Sequence, residues 1–313
     1  MRVTRYSTSE QDSWDVFVQA SKNGTFLFKR AYMDYHSDRF VDHSLLFHTD
    51  KGQLVAVLPA NERDGTLQSH GGLSYGGVIC DASMTTPTML DVFDALLAYM
   101  RTSGLSRLIY KTIPHIYHRH PAEEDRYALF RAEARLFRRD VLSVVRSREE
   151  RVPLQKRRAR KVNHAKSLGL VVEASDDFAA FWTILEENLR AVHGVKPVHT
   201  LEEIRLLQGR FPDNIKLHVC KENDLVVSGV VMFNSSQVAH VQYISTSLRG
   251  REIGALDLLF ATLIEDDYVN QAYFDFGISN ENDGQILNVG LIEQKEGFGA
   301  RAVVHDYYEI TFA

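Results

Sequence analysis

Residues Gln271 to Ala300 read QAYFDFGISNENDGQILNVGLIEQKEGFGA, a stretch that combines a strand pattern, a polar loop, a helical pattern and a glycine turn. Its first part, Ala272 to Gly277, mixes aromatic and apolar residues and ends at a glycine, which predicts a buried strand. Asp275 lies inside that strand, and a carboxylate there is either paired or functional, because burying it alone is costly. A polar loop and a helical pattern follow, and Lys295 then precedes a Gly-x-Gly turn.

Lys295 has two interpretations at this position. A lysine beside Gly297-Phe298-Gly299 puts a cation where the backbone can come close to a ligand. Alternatively, the helix ends at a glycine cap and the ammonium group of Lys295 interacts with the helix dipole. The local pattern by itself favours the second interpretation.

Length and composition favour a globular protein with two domains. The chain has 313 residues and a formal net charge of -5, so its overall charge gives no argument for nucleic-acid binding. Cys80 and Cys220 are its two cysteines, too few for a disulfide scaffold or a zinc site. The N-terminal sequence has no apolar signal-peptide core, and no segment is apolar enough to span a membrane. We therefore expect a cytoplasmic protein without a membrane span.

The two halves of the chain share one order of predicted elements. Each half reads strand, helix, antiparallel strands, helix, strand, which predicts an α+β fold plan used twice. We place the domains at residues 1–150 and 151–313, each with a mixed, mostly antiparallel sheet flanked by helices. The second domain opens with a basic helix at residues 153–167.

That basic segment, residues 152–167, is the sharpest change in composition, and it reads VPLQKRRARKVNHAKS. A helix with this charge could bind RNA or phosphates. It could also be the solvated face of a linker helix, which the segment alone favours. The negative charge of the whole chain argues against a protein whose main task is to bind RNA.

The first half carries two weaker candidates for substrate binding. Lys29 lies in an aromatic and basic segment, and Tyr75 lies in a glycine-rich turn, SHGGLSYGG. The alternatives are a helix that packs its aromatic side chains on a sheet and a bulged pair of strands.

Three histidines follow at residues 115, 118 and 120, but their spacing beside two prolines suits a loop, so we predict no metal site.

The element order in the second half resembles that of a Gcn5-related acetyltransferase (GNAT) domain. The family's phosphate-binding pattern, [RQ]-x-x-G-x-[GA], is similar to the sequence from Arg249 to Gly254, with Gly250 and Arg251 between them and Glu252 where the first glycine belongs. The resemblance implies that Arg249, Gly250, Arg251 and Gly254 bind the coenzyme A pyrophosphate. It also implies an opening between the strand ending at Thr246 and the strand starting near Ala272. A helix from Glu252 to Tyr268 would start there, with Glu252 repelling the pyrophosphate.

The chain as a whole resembles the FemAB-like branch, in which tandem GNAT-like domains transfer acyl or aminoacyl groups to amines. The matching features are GGLSYGG, the basic helix QKRRARK, the loop HGVKPVH and the closing FDFG…GLIEQKEGFGAR. Carried over, the family's lysine before Phe-Gly is Lys295, and its strand tyrosine is Tyr243. The loop makes His193 and His199 candidates for substrate binding.

The resemblance implies an N-acyltransferase with no tightly bound cofactor. An amine acceptor, a small molecule or a peptide, would lie in a cleft between the halves. The acyl donor would be acyl-CoA or aminoacyl-tRNA, and the basic helix would then contact the tRNA phosphates. Lys295 would steady the oxyanion, and Tyr243 or a water near Asp275 would take the amine proton. The alternative is a ligand-binding protein that has lost donor binding and catalyses nothing, for which Glu252 is the argument.

Overall fold

The predicted α+β class is confirmed by the computed structural model, which describes residues 1–312 apart from the side chains of residues 192 and 193. The helices are α1 Gln11–Ala20, α2 Arg30–Met33, α3 Thr86–Thr102, α4 Glu124–Arg131, α5 Lys156–Ser167, α6 Phe178–His193, α7 Leu201–Arg210, α8 Leu248–Ile253, α9 Ala255–Thr262 and α10 Val289–Glu296. None of these helices is long and apolar enough to cross a membrane.

The strands are short in the first part of the chain and longer in the second. They are β1 Arg2–Arg5, β2 Val41–Asp42, β3 Leu45–His48, β4 Leu54–Leu58, β5 Asn61–Arg63, β6 Thr66–Gln68, β7 Ile79–Cys80, β8 Arg107–Lys111, β9 Arg135–Arg146, β10 Val171–Ser175, β11 Ile215–Glu222, β12 Leu225–Asn234, β13 Val238–Thr246, β14 Tyr273–Ile278, β15 Asn280–Glu281, β16 Ile286–Leu287 and β17 Arg301–Thr311.

The chain forms two compact units that do not coincide with its two halves. Unit 1 contains Met1–Asp140, Asn282–Gln285 and the chain from Val304 on, and unit 2 contains Val141–Glu281 and Ile286–Val303. The domain boundary inferred from the sequence, between residues 150 and 151, stays a prediction.

Unit 1 contains two groups of paired strands. The first has the order β1-β3-β4-β7 and is antiparallel throughout. In the second, β8 pairs in parallel with β6 and antiparallel with β17, and β6, β5 and β2 pair antiparallel in turn. Apolar side chains of α3 and α4 pack with these strands into one core, because the helical spacing puts their apolar residues on one face.

Unit 2 contains the sheet β10-β11-β12-β13-β14, with the end of β9 beside β14. Every pair in it is antiparallel except β13 and β14, which are parallel. Its core is aromatic, since the ring of Phe260 on α9 contacts those of Phe274, Phe276 and Phe298. One side of the sheet is thereby fixed against α9.

The opening expected from the sequence between β13 and β14 is present. Their register runs from Val238 paired with Tyr273 only as far as His240 paired with Asp275, although both strands continue. In β13 a bulge follows, because Val241 faces Met232 of β12 and Tyr243 already faces Val231. The two strands therefore part at His240, and the bulge changes the direction of the next side chains.

The predicted helix from Glu252 to Tyr268 is wrong in its start and in its continuity. A helix begins earlier, at Leu248, where the side chain of Ser247 caps the backbone N–H of Gly250. It ends at Gly254, whose φ of +73° belongs to the left-handed region that stops a helix. Helix α9 starts anew at Ala255 and passes into a π-helical turn, Leu263–Asp267.

Candidate functional site

A basic cavity of about 560 Å³ lies in unit 2, where α5 meets the break between α8 and α9. Four of the side chains that line it are cations and one is a carboxylate. The lining residues are Arg157, Arg158, Lys161, Thr246, Gly250, Arg251, Gly254, Leu256, Asp257 and Gln294. The two segments that the sequence marked as separate phosphate-binding candidates, the basic helix and the Arg249–Gly254 segment, thus contribute to one cavity.

Two glycines allow this approach of helices and strand. A Cβ on Gly250 would lie 2.4 Å from the carbonyl oxygen of Val227, so only glycine lets α8 pack on β12. A Cβ on Gly254 would lie 3.3 Å from the carbonyl oxygen of Lys161, and its φ of +73° disfavours any other residue. Gly250 and Gly254 were predicted to bind a pyrophosphate, and both line the cavity through which α5 and α8 face each other.

Arg158 is the buried cation of the cavity. Its side chain is 8% exposed and its Nη1 forms a 2.7 Å ion pair with Asp257. The guanidinium group also lies over the ring of Phe298, 5.2 Å from the ring centre. Its Nε has no hydrogen-bond partner, although it is buried. The ion pair with Asp257 and the ring of Phe298 hold the Arg158 side chain in one position at the cavity wall.

The two arginines of the Arg249–Gly254 segment lie in different places. Arg251 lines the cavity and donates to the side-chain oxygen of Asn188, 3.0 Å away. Arg249 is not among the lining residues, and its guanidinium group forms two hydrogen bonds, of 2.9 and 2.6 Å, with the carboxylate of Glu222. The geometry therefore favours Arg251 over Arg249 as a phosphate contact.

The resemblance placed Glu252 at the start of a helix. The structure does not, because α8 begins four residues earlier. Its side chain is 69% exposed, lies 3.5 Å from Arg249 and is absent from the cavity wall. The predicted repulsion of a bound pyrophosphate by Glu252 therefore loses its structural basis.

Glu252→Gly should consequently leave phosphate-ligand affinity within about twofold of wild type, since an exposed and ion-paired carboxylate is well screened. The protein should lose roughly 1 kcal/mol of stability, because glycine disfavours a helix interior. Calorimetric titration with acetyl-CoA, together with thermal melting, measures both quantities. A gain of tenfold or more in the affinity for acetyl-CoA would show that Glu252 does repel the bound phosphates.

Lys295 lies in the last turn of α10, directly after the cavity residue Gln294. It is 8% exposed, and its Nζ donates to the carbonyl oxygens of Gly277 (3.0 Å) and Ile278 (2.6 Å) at the end of β14. Burial lowers the pKa of Lys295 to about 8, and the nearby Asp275 carboxylate partly opposes this shift. An ammonium group has three N–H donors, so one of them remains after these two bonds.

The glycines after Lys295 have a packing explanation. A Cβ on Gly299 would lie 2.1 Å from the carbonyl oxygen of Val152, and one on Gly297 would lie 3.1 Å from Nε of Arg158. The backbone N–H of Gln155 also donates to the carbonyl of Gly297. The Gly-x-Gly turn thus holds the start of the basic helix against α10, and the expected close approach of a ligand to this turn stays a prediction.

Asp275 is fully buried, at 1% exposure, and both of its carboxylate oxygens have donors. Oδ2 lies 2.9 Å from Nδ1 of His240, and Oδ1 accepts the backbone N–H of Gly277 at 2.7 Å. His240 was not among the residues selected from the sequence. The sequence shows only that His240 lies in a strand just before the predicted opening. The register of β13 with β14 is needed to place it opposite Asp275.

Tyr243 and His199 meet at a second cavity of unit 2, of about 400 Å³, which His199 lines together with Trp182. The Tyr243 hydroxyl lies 2.5 Å from Nδ1 of His199 and accepts the backbone N–H of the same residue at 3.1 Å. Burial raises the pKa of Tyr243 to about 12, so its phenol is protonated at neutral pH. A protonated phenol can donate a hydrogen bond but is a poor base.

The remaining sequence candidates are not part of these clusters. Tyr75 is 5% exposed in unit 1, where its hydroxyl lies 3.0 Å from that of Thr25 and its ring contacts Tyr117. Lys29 is half-buried in unit 1 at the start of α2. The side chain of His193 lies outside the described residues. Within the described part of the chain, no three or more histidine, cysteine or acidic side chains are placed to hold a metal ion.

A family model described as an acetyltransferase (GNAT) domain matches residues 155–283, which include α5, the opening between β13 and β14, and the Arg249–Gly254 segment. No curated protein matches the sequence.

Several solved structures share the fold over nearly the whole chain. FemX superposes with a TM-score of 0.68 at 12% identity, covering 98% of this chain and 97% of its own. L-PGS from Bacillus licheniformis gives 0.62 at 13% identity, covering 98% and 92%. A conserved protein of unknown function from Bacteroides thetaiotaomicron gives 0.60 at 9% identity, covering both chains completely. The chain therefore has a FemAB-like GNAT fold, and the fold inferred from the sequence is confirmed.

Proposed function

We propose that this protein is an N-acyltransferase that moves an acyl or aminoacyl group from a phosphate-bearing activated donor to an amine. The observation that carries the proposal is the basic cavity between α5 and α8, whose lining includes Gln294, the residue before Lys295. A basic cavity in a unit that also holds the buried ammonium group of Lys295 suits a donor that has phosphates at one end and a reactive carbonyl at the other. Acyl-CoA and aminoacyl-tRNA both have this chemistry.

The cavity supplies charge for the phosphates through side chains. Arg157 and Lys161 are exposed on one face of α5, Arg251 faces them from α8, and Arg158 also lines the cavity. Arginine forks match the oxygens of a phosphate, and lysine adds a mobile point charge. An open basic cavity also suits the phosphate backbone of a tRNA acceptor end, which supports the aminoacyl-tRNA alternative.

Lys295 is the residue that we assign to the reacting carbonyl. Two of its three N–H groups are held by the carbonyls of Gly277 and Ile278, which fixes the direction of the third. As an amine attacks the donor carbonyl, the oxygen becomes negative, and a fixed cation stabilises that oxyanion without reorganising. The C–N bond forms, and the bond to the thiol or ribose oxygen breaks with no covalent enzyme intermediate.

The contribution of Lys295 should decrease as the pH rises through about 8. Burial lowers the pKa of Lys295 to about 8, so the ammonium form is complete below that value and is lost above it. The ratio of the wild-type rate to the Lys295→Met rate should therefore fall about tenfold per pH unit above pH 8. Taking the ratio cancels the titration of the acceptor amine. A ratio that stays constant from pH 6.5 to 9.5 would contradict this role.

The acceptor is an amine on a small molecule or a peptide, and the cytoplasm, where acyl-CoA and charged tRNA occur, is the proposed location. The opposing proposal, a binding protein that has lost its donor, rested on Glu252. Because Glu252 lies away from the cavity wall, it does not support that alternative.

Direct binding tests the donor assignment. Acetyl-CoA titrated by calorimetry and aminoacyl-tRNA titrated by filter binding should show saturable binding by at least one of the two. A bound donor should also raise the melting temperature as its concentration increases. Absence of binding by both donors would remove the proposed function.

A further inference from the structure

The histidine and carboxylate at the opening of the unit 2 sheet form a pair that the proposal above does not use. His240 and Asp275 are the last residues in register before β13 and β14 part, with Nδ1 of the ring 2.9 Å from Oδ2 of the carboxylate. The second carboxylate oxygen accepts the N–H of Gly277. An ionised Asp275 only accepts hydrogen bonds, which assigns the ring proton to Nδ1 and leaves the lone pair of a neutral ring on Nε2.

The position of the ring suits a base. The side chain of His240 is 16% exposed, whereas Asp275 behind it is 1% exposed. Within the described residues, Nε2 makes no hydrogen bond with the protein and is not among the buried unpartnered atoms. Gly277, with a φ of +72°, passes beside the ring, and a Cβ there would lie 3.5 Å from Cε1 of His240.

The same short segment connects the ring to Lys295. The N–H of Gly277 donates to Asp275, and the carbonyl oxygen of Gly277 accepts from Nζ of Lys295. One residue thus links the carboxylate that orients the ring to the ammonium group. A base and an oxyanion-stabilising cation are thereby held by the end of one strand. Acyl transfer to an amine benefits from a base and a cation together, because a proton leaves the amine while negative charge develops on the carbonyl oxygen.

We infer that His240 is the general base of this protein and that Asp275 is its positioning residue; the inference rests on the proposed function. Nε2 of His240 takes a proton from the acceptor amine as its nitrogen bonds to the donor carbonyl carbon. The bond from that carbon to sulfur or to the ribose oxygen then breaks with its electron pair. The imidazolium returns the proton to the leaving thiolate or alkoxide, so the ring ends neutral.

A histidine–aspartate pair can also serve only as a bridge between strands, and chemical rescue separates the two roles. His240→Ala should lower the transfer rate by about a hundredfold or more, which is typical of a lost general base. Imidazole added at tens of millimolar should restore at least about tenfold of that loss, because it can occupy the space of the missing ring. If the pair only connects the two strands, His240→Ala should lower the stability of the protein, and imidazole should not restore the transfer rate.

The matched control is His218→Ala. His218 is a buried histidine of unit 2, on β11, with its Nε2 2.9 Å from the hydroxyl of Tyr268 and its Nδ1 3.4 Å from the carboxylate of Asp267. Its loss should destabilise the protein without a comparable loss of rate or any rescue. His240→Gln provides a second variant with more of the side-chain volume, should the alanine variant fail to fold.

The assay uses acetyl-CoA and a mixture of radiolabelled aminoacyl-tRNAs as donors and pooled amino acids, dipeptides and polyamines as acceptors. Wild-type transfer with a large, imidazole-rescued loss in His240→Ala is the expected result. Transfer within threefold of wild type in both His240 variants, or a loss without rescue, would overturn the inference alone. Absence of wild-type transfer from either donor would overturn the proposed function and this inference with it.

A spectroscopic measurement tests the pair without any substrate. Long-range ¹⁵N–¹H spectra of histidine-labelled protein at pH 8 should show Nδ1 of His240 protonated and Nε2 bare. Asp275→Asn should change that tautomer preference, since an amide can donate to Nδ1. A wild-type ring with its proton on Nε2 would overturn the inference whatever the transfer assay shows.

Discussion

Lys295→Met should lower the rate of acyl transfer by about a hundredfold or more, the size of effect seen when one preorganised oxyanion donor is removed. Methionine retains most of the aliphatic length but cannot donate to the reacting oxygen. The substitution also leaves the carbonyls of Gly277 and Ile278 without their donor, so a stability loss of roughly 1–3 kcal/mol is expected beside the loss of rate.

Lys111→Met is the control that separates the effect on rate from the effect on stability. Lys111 is a lysine of unit 1 with the same 8% exposure, its Nζ donates to the carbonyl of Leu73, and burial lowers its pKa to about 7. This variant should lose comparable stability and keep its transfer rate. If Lys295→Met melted early but transferred normally, Lys295 would be structural only, and its assignment to the carbonyl would be wrong.

The double substitution Arg157→Glu with Lys161→Glu should weaken donor binding by about a hundredfold. Each reversal replaces an attraction to phosphate by a repulsion, and removing one phosphate-binding cation costs about tenfold in affinity or 1.4 kcal/mol. The dependence of log Kd on log salt should also become shallower, because fewer counterions are released. Calorimetry with acetyl-CoA and filter binding with aminoacyl-tRNA, each at two salt concentrations, measure both effects.

Arg160→Glu with Lys166→Glu is the matched control for this variant. Both residues are exposed on α5, and neither lines the cavity. Each double variant replaces two cations of α5 by two carboxylates, so the change in net charge is the same. Donor affinity should then stay within a fewfold of wild type. Equal weakening by the two double variants would show that only overall charge attracts the donor and that the cavity is not its site.

The fold could be predicted from the sequence because its elements are local patterns. The aromatic strand β14 and the basic helix α5 follow from residue types that are close together in the chain, whereas the opening beside β13 was implied by the family resemblance. The helix after β13 was predicted with the wrong start and as one continuous helix. Gly254 was assigned to a ligand, but its left-handed conformation ends α8 and divides the predicted helix in two.

The candidate site could be predicted only in part because it depends on long-range packing. The sequence marked the basic helix and the Arg249–Gly254 segment as two separate features, and only the folded chain shows that they line one cavity. His240 was missed because its meaning depends on the register that places it opposite Asp275, 35 residues away. Glu252 was overrated because nothing in the sequence shows that its side chain pairs with Arg249.

A transfer assay tests the central claim most directly. Wild-type protein and Lys295→Met are incubated with labelled acyl-CoA or labelled aminoacyl-tRNA and a pool of amine acceptors, and the amide products are identified by mass spectrometry. The proposed mechanism predicts labelled amide with the wild-type protein and about one hundredth of that rate or less with the variant. Absence of labelled amide from both donors, or equal amounts with the two proteins, would contradict it.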